Sequence, residues 1–205
     1  MNLMPSNHAG AQKTPATIGK NNRSLNFQGL TVLVADSSEN FLTIIVGILR
    51  EFKFSNIHRA GNGKEAFELL KSRPIDIAFL DCFLADMDGF EIIFKVRHSP
   101  GLNQMIPMLI LTSHTQESNV IRARDCGANM VIAKPIAGSI LFDRLLWASN
   151  NAEDFVVANH YTGPDRRHKD EGCPNGVGRR ESDKASAGEQ AEQKLSQDEI
   201  DALFK

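Results

Sequence analysis

Between Leu30 and Ala133 short apolar runs alternate with amphipathic stretches, and this alternation restricts the fold more than any other feature of the chain. The runs are LTVLVA (30–35), IDIAFL (75–80), IPMLIL (106–111) and MVIA (130–133), with a weaker one, NIHRA, at 56–60. Four to six consecutive apolar residues leave no polar face, so such strands belong in a sheet covered on both sides. The stretches between them, among them FLTIIVGILREF, KEAFELLKS and FEIIFKVRH, carry helical spacing. Five such units predict an α/β domain over residues 29–148, a doubly wound five-stranded parallel sheet. In that architecture ligands bind beyond the carboxyl ends of the strands.

Outside this region the apolar pattern stops. Residues 1–28 are rich in Asn, Ser, Lys, Gly and Gln, a composition expected to stay disordered. Residues 149–160 read as a linker, with Phe155, Val156 and Val157 as a docking spot. Residues 161–184 are dense in Gly, Pro, Arg and Asp, too polar for a core, and 185–194 read as a flexible spacer. The C-terminal extension is therefore expected to be largely disordered, ending in a short amphipathic helix over 195–205. The net charge of -2 does not point to nucleic acid or an anionic membrane. Cys82, Cys126 and Cys173 are odd in number and form no CxxC pair, which fits a reducing cytoplasm. No secretory leader and no apolar run of about 18 residues is evident.

Four residues stand at successive strand ends: Asp36, Asp81, Thr112 and Lys134. An ionised Asp, a hydroxyl and an ammonium converging there form a phosphoryl-accepting set. The carboxylate attacks, and the other two hold phosphoryl oxygens. With VLVADSS (32–38), FLDCFLADMDGFE (79–91), LILTSHT (109–115) and GANMVIAKPI (127–136), the chain resembles the flavodoxin-like receiver domain of bacterial response regulators, the CheY-like family. The resemblance implies Asp81 as phosphoacceptor, Thr112 as switch hydroxyl, Lys134 as phosphate partner, and Asp36 with Asp81 as Mg²⁺ ligands. Ser37 stands where the family usually has a second acid, which removes a metal ligand. Val131 stands where a switch Tyr or Phe is frequent, and Leu84 and Ala85 replace a frequent Met-Pro pair.

The tail repeats itself. GPDRRHKD (163–170) and GVGRRESD (176–183) both read G-x-x-R-R-x-x-D, offset by thirteen positions. A guanine edge offers O6 and N7 to a bidentate Arg, and its N1–H and amine suit a carboxylate. A second guanidinium can stack on a base or hold a phosphate. Two such units, Arg166, Arg167 and Asp170 with Arg179, Arg180 and Asp183, match a ligand with two guanines, namely cyclic di-GMP. Tyr161, the sole tyrosine, either stacks on a base or anchors the linker. Residues 161–184 hold six basic against five acidic residues, a poor footprint for a polyanion. The R-x-x-D signature resembles the inhibitory site of diguanylate cyclases, and the whole arrangement resembles the Cle proteins. That resemblance implies cyclic di-GMP binding through the tail and action on the flagellar motor switch proteins. Contacts of about 1–3 kcal/mol each from Arg forks and stacking must exceed an ordering cost of about 2–5 kcal/mol. Both halves of the repeat are needed to reach micromolar affinity, about -8 kcal/mol.

In the last segment Ser196 and Glu199 make a capping box. Ile200, Leu203 and Phe204 share one face at i, i+3 and i+4, the pattern of a helix that lies in a groove. LSQDEIDALF (195–204) resembles the receiver-binding peptide of the flagellar switch protein, which predicts docking on a receiver domain, its own or another's. The reading of the whole is a non-enzymatic cytoplasmic adaptor coupling cyclic di-GMP to flagellar motor, chemotaxis and surface-attachment control, with recruitment to the flagellated pole. The alternative is a conventional regulator phosphorylated at Asp81 with a passive tail.

Overall fold

The computed structural model describes residues 27–150, 155–158, 161–165 and 194–204. Five parallel strands, β1 (Thr31–Ala35), β2 (Asn56–Ala60), β3 (Ile77–Asp81), β4 (Met108–Thr112) and β5 (Met130–Ala133), form one sheet in the order β2-β1-β3-β4-β5. Between and after them come α1 (Glu39–Glu51), α2 (Gly63–Ser72), α3 (Gly89–His98), α4 (Glu117–Asp125) and α5 (Gly138–Asn150). The doubly wound architecture is as expected.

The apolar runs have the predicted physical cause. Leu33, Ala78, Leu80, Ile110 and Val131 enter one buried cluster, with α2, α3 and α4. Their strand neighbours Val32, Val34, Phe79, Leu109 and Ile132 enter a second cluster, with α1 and α5. Side chains alternate across a strand, so a sheet packed on both faces leaves no position for a polar residue. Each of the first three helices begins at a side-chain cap that accepts a backbone N–H: Ser38 from Phe41, Asn62 from Glu65 and Asp88 from Glu91.

Two boundaries differ from expectation. Phe27, placed with the disordered N-terminal segment, is 2% exposed; its ring stacks on Phe54 at 4.8 Å and meets Phe142 edge-on. Apolar burial of an aromatic ring extends the domain to that residue. The stretch read as a linker over 149–160 includes the end of α5 and the strand β6 (Phe155–Ala158). β6 pairs antiparallel with β7 (Tyr161–Pro164), Phe155 facing Pro164 and Ala158 facing Tyr161.

This hairpin packs on the domain through Arg97, a fully buried cation at the end of α3. Its guanidinium donates to the carbonyls of Gly127 (3.1 Å), Ile106 (2.9 Å) and Gln104 and to Asn129 Oδ1 (2.9 Å), and it covers the Phe155 ring at 4.7 Å. Gly127 has φ +94°, and a Cβ there would stand 2.6 Å from the Thr162 carbonyl oxygen. Only glycine allows both that conformation and that approach. Phe155 is thus the docking residue among the three apolar candidates, while Val157 faces outward.

The C-terminal helix, α6 (Gln197–Leu203), lies against β5 and α4 of its own domain. No helix among the described residues is long and apolar enough to cross a membrane.

Candidate functional site

At the strand ends Lys134 brings Asp36 and Asp81 together, and Thr112 stands on the neighbouring strand. Asp36 follows β1, Asp81 closes β3, Thr112 closes β4, and Lys134 directly follows β5 and is joined to Pro135 by a cis peptide. Lys134 Nζ donates to Asp36 Oδ2 and lies 3.3 Å from Asp81 Oδ1. Its charge also stands 4.1 Å from the centre of the Phe41 ring. Asp36 is nearly inaccessible, and its other oxygen accepts the Ser38 N–H at 2.8 Å. One ammonium therefore bridges two carboxylates in a partly dehydrated pocket, where their attraction is stronger than in water.

Asp81 feels competing influences. Burial raises its pKa above the usual value, Lys134 opposes this by charge and hydrogen bond, and Asp36 raises it further. Next to it, the Cys82 thiol is pushed up to about 11, chiefly by burial, and is thus a neutral thiol at ordinary pH. Its Sγ lies 2.7 Å from Thr112 Oγ1, which also accepts the His114 N–H at 2.9 Å. The expected switch hydroxyl is thus held from two sides. Gly89 lets α3 begin against the end of β3: a Cβ there would lie 2.3 Å from the Asp81 carbonyl oxygen. At the mouth the Phe83 ring meets His114 edge-on at 4.6 Å.

The donor set for Mg²⁺ is thin. Asp36 and Asp81 are the two carboxylates, Ser37 is an exposed hydroxyl, and no cluster of three or more His, Cys, Asp or Glu that could hold a metal occurs among the described residues. Mg²⁺ is commonly held by one or two carboxylates plus water, so these residues fit it as a weak site in which Lys134 must yield Asp36. A bound cation would neutralise charge at Asp81. The chain's own Lys134 already does part of this, while the Thr112 hydroxyl is engaged by Cys82 Sγ.

A second constellation surrounds α6. Ile200 is fully buried, Phe204 nearly so, and Leu203 and Leu195 pack on the same cluster as Val131 and Val120. The capping box is formed, with Ser196 N–H and Oγ–H both donating to Glu199 Oε2 at 2.8 Å. These bonds hold the Glu199 carboxyl below its usual range. Gln197 reads the open edge of β5: its Oε1 accepts from Ala133 N (2.8 Å), and its Nε2 donates to Val131 O (3.0 Å) and Asp201 Oδ1 (2.8 Å). Asp201 Oδ2 in turn takes a hydrogen bond from Arg144 of α5. Leu195 N–H donates to Thr115 O at 2.9 Å, just beyond β4. Of the two docking sites left open by the sequence, the protein's own domain is the one occupied.

Gln197 and Arg144 were not singled out from the sequence, and Asp201 was read there only as part of the acidic face opposite the apolar one. Gln197 and Asp201 stand in the helix pattern, but nothing there reveals that they face a strand edge and a guanidinium. Tyr161 donates its hydroxyl to Pro164 O at 3.1 Å, folding over its own turn. Arg166, Arg167, Asp170, Arg179, Arg180 and Asp183 lie outside the described residues.

Comparison with known proteins agrees with this geometry. The response regulator receiver domain family matches residues 32–146. The chain is 25% identical over 118 residues to the chemotaxis protein CheY-3 of Vibrio cholerae serotype O1, covering 58% of this chain and 90% of that one. It is 34% identical over 119 residues to the two-component response regulator ORR11 of Oryza sativa subsp. indica, covering 56% and 80%. Among solved structures, Vibrio cholerae CheY4 superposes with a TM-score of 0.54 at 24% identity over 58% of this chain and 98% of that one. The receiver domain of the sensor histidine kinase PA1611 from Pseudomonas aeruginosa, with a magnesium ion in its active-site cleft, gives 0.55 at 21% identity over 59% and 98%. The last two speak to fold alone. With its sheet order, its strand-end residues and a match across more than half its length, the chain belongs to the response regulator receiver domain family.

Proposed function

We propose that this receiver-domain protein is a non-enzymatic adaptor that takes cyclic di-GMP through segment 161–184 and passes the signal to flagellar motor switch proteins. The observation that carries the reading is the exact repetition of G-x-x-R-R-x-x-D at 163–170 and 176–183. Each copy supplies an Arg fork for guanine O6 and N7 and a carboxylate for its donor edge. The thin Mg²⁺ donor set around Asp81 supports an input other than phosphorylation, and the similarity to a chemotaxis protein supports the motor as target. Calorimetry of full-length Arg180→Ala tests the two-halves arrangement. Loss of at least about 1–3 kcal/mol of binding is expected; wild-type affinity in the variant sinks it.

One observation favours a second reading. Lys134 lies 3.3 Å from Asp81 at the strand ends, and Thr112 closes the neighbouring strand, the residue types of a phosphoryl-accepting set. Incubation with acetyl phosphate and Mg²⁺ addresses it, with Asp81→Asn as control. Stoichiometric, Asp81-dependent labelling would favour a phosphorylation-driven regulator, and its absence would favour the nucleotide.

A further inference from the structure

The face formed by β5, α4 and α5 is the part of the molecule whose role the pocket and the nucleotide do not account for. β5 is the edge strand of the sheet, and an open edge offers unpaired N–H and C=O groups to any passing segment. Here the edge is closed by a side chain. The Gln197 amide meets Ala133 N–H and Val131 C=O together, as a neighbouring peptide unit would. Ile200 and Phe204 fill the apolar ground beside it, and Asp201 links the same glutamine to Arg144. The recognition is specific in register, because Gln197 and Asp201 stand one helical turn apart on one face.

The fit is also incomplete. Arg144 Nε is buried without a hydrogen-bond partner among the described residues, since Asp201 takes only one arm of the guanidinium. An unmade bond of this kind weakens the seated helix. The helix lies in the same chain as its site, so it competes as an intramolecular ligand. Joining ligand and site in one chain makes their encounter intramolecular, at an effective concentration set by the tether.

We infer that α6 is an exchangeable plug: it closes the α4–β5–α5 face of its own domain against an outside amphipathic helix bearing the same Gln, Ile, Asp, Leu and Phe pattern. The occupant in the resting molecule is the segment 194–204. When it leaves, the face accepts a second helix of that chemistry, and Arg144 and the β5 edge select it. This inference involves no nucleotide and stands or falls apart from the cyclic di-GMP reading.

The test uses the full-length chain and a fluorescent peptide of residues 194–205, read by anisotropy without nucleotide. The wild type, already plugged, should bind the peptide at least about tenfold more weakly than full-length Ile200→Asp, whose own helix cannot seat. Adding Arg144→Glu to that variant should abolish binding, and a peptide carrying Asp201→Arg should restore it. Circular dichroism and a thermal melt check that each variant is folded. If Ile200→Asp does not fold, Gln197→Ala takes its place, with the same direction of change expected. Equal peptide affinity in wild type and a folded unplugged variant overturns the inference. So does a folded unplugged variant that ignores the peptide, or a charge swap that restores nothing.

Discussion

Replacing Lys134 with methionine removes the ammonium that bridges Asp36 and Asp81 while keeping the volume of its stem. In the wild type that ammonium is hydrogen-bonded to Asp36 and 3.3 Å from Asp81, and the side chains of Asp36, Asp81 and Lys134 are 3%, 14% and 15% exposed. At an effective dielectric near 20, a unit pair about 4 Å apart is worth roughly 4 kcal/mol. Breaking a buried pair by deleting one partner costs about 3–5 kcal/mol. Proton uptake by a stranded carboxylate limits the loss, so about 3 kcal/mol at pH 7.5 is expected, or roughly 6–12 °C in Tm for a chain of this size. The sign with pH follows from Asp81. Lys134 is the main influence lowering its pKa; without it, burial and Asp36 both push the value up. The folded variant then holds a proton that the unfolded chain releases, so stability is lost as pH rises through the folded pKa. Urea melts at pH 5.0 and 7.5 should show a larger deficit at the higher pH. A deficit below about 1 kcal/mol, equal at both values, would refute the bridged-carboxylate account.

Three other outcomes are expected. Asp81→Asn removes a group whose folded pKa is raised, so the variant should gain on the wild type as pH climbs from about 3 to 7, as followed by thermal melts. Arg97→Met leaves the Gly127, Gln104 and Ile106 carbonyls without their donor; at about 1–3 kcal/mol per unsatisfied buried group, a loss of about 3–5 kcal/mol is expected. Hydrogen exchange over 155–158 and 161–164 should rise with it, because Phe155 also loses its cation. Ile200→Ala should expose the amides of 197–203 to exchange while leaving β1 and β3 protected; unchanged exchange in α6 would contradict its docking through Ile200.

The sheet was readable because burial on both faces writes itself as unbroken apolar runs. Asp81 and Thr112 close β3 and β4, and Lys134 follows β5, as those runs implied. The hairpin was not readable. Tyr161–Pro164 contains a glycine and a proline, poor strand formers, and β7 is held by its pairing with β6 and by the approach of Thr162 to Gly127, a long-range contact. Arg97 was missed for a related reason: a basic residue in the last turn of a helix usually faces water and the helix dipole, and only the fold shows carbonyls waiting for it. In α6 the capping box and the Ile200–Leu203–Phe204 face were plain from spacing. Whether that face meets its own domain or another's was left open, and that Gln197 caps a strand edge depended on residues some 64 positions away. Cys82 carries no sequence signal of its contact with Thr112, because neither residue is unusual where it stands.

The adaptor reading depends most on the guanine preference of the doubled arginine segment. Calorimetric titration of the full-length protein with cyclic di-GMP, and with GTP as competitor and control, measures it directly. Micromolar or tighter binding of the cyclic dinucleotide, about -8 kcal/mol or more, with GTP far weaker, is the predicted result. No heat with either nucleotide, or equal affinity for both, would contradict it.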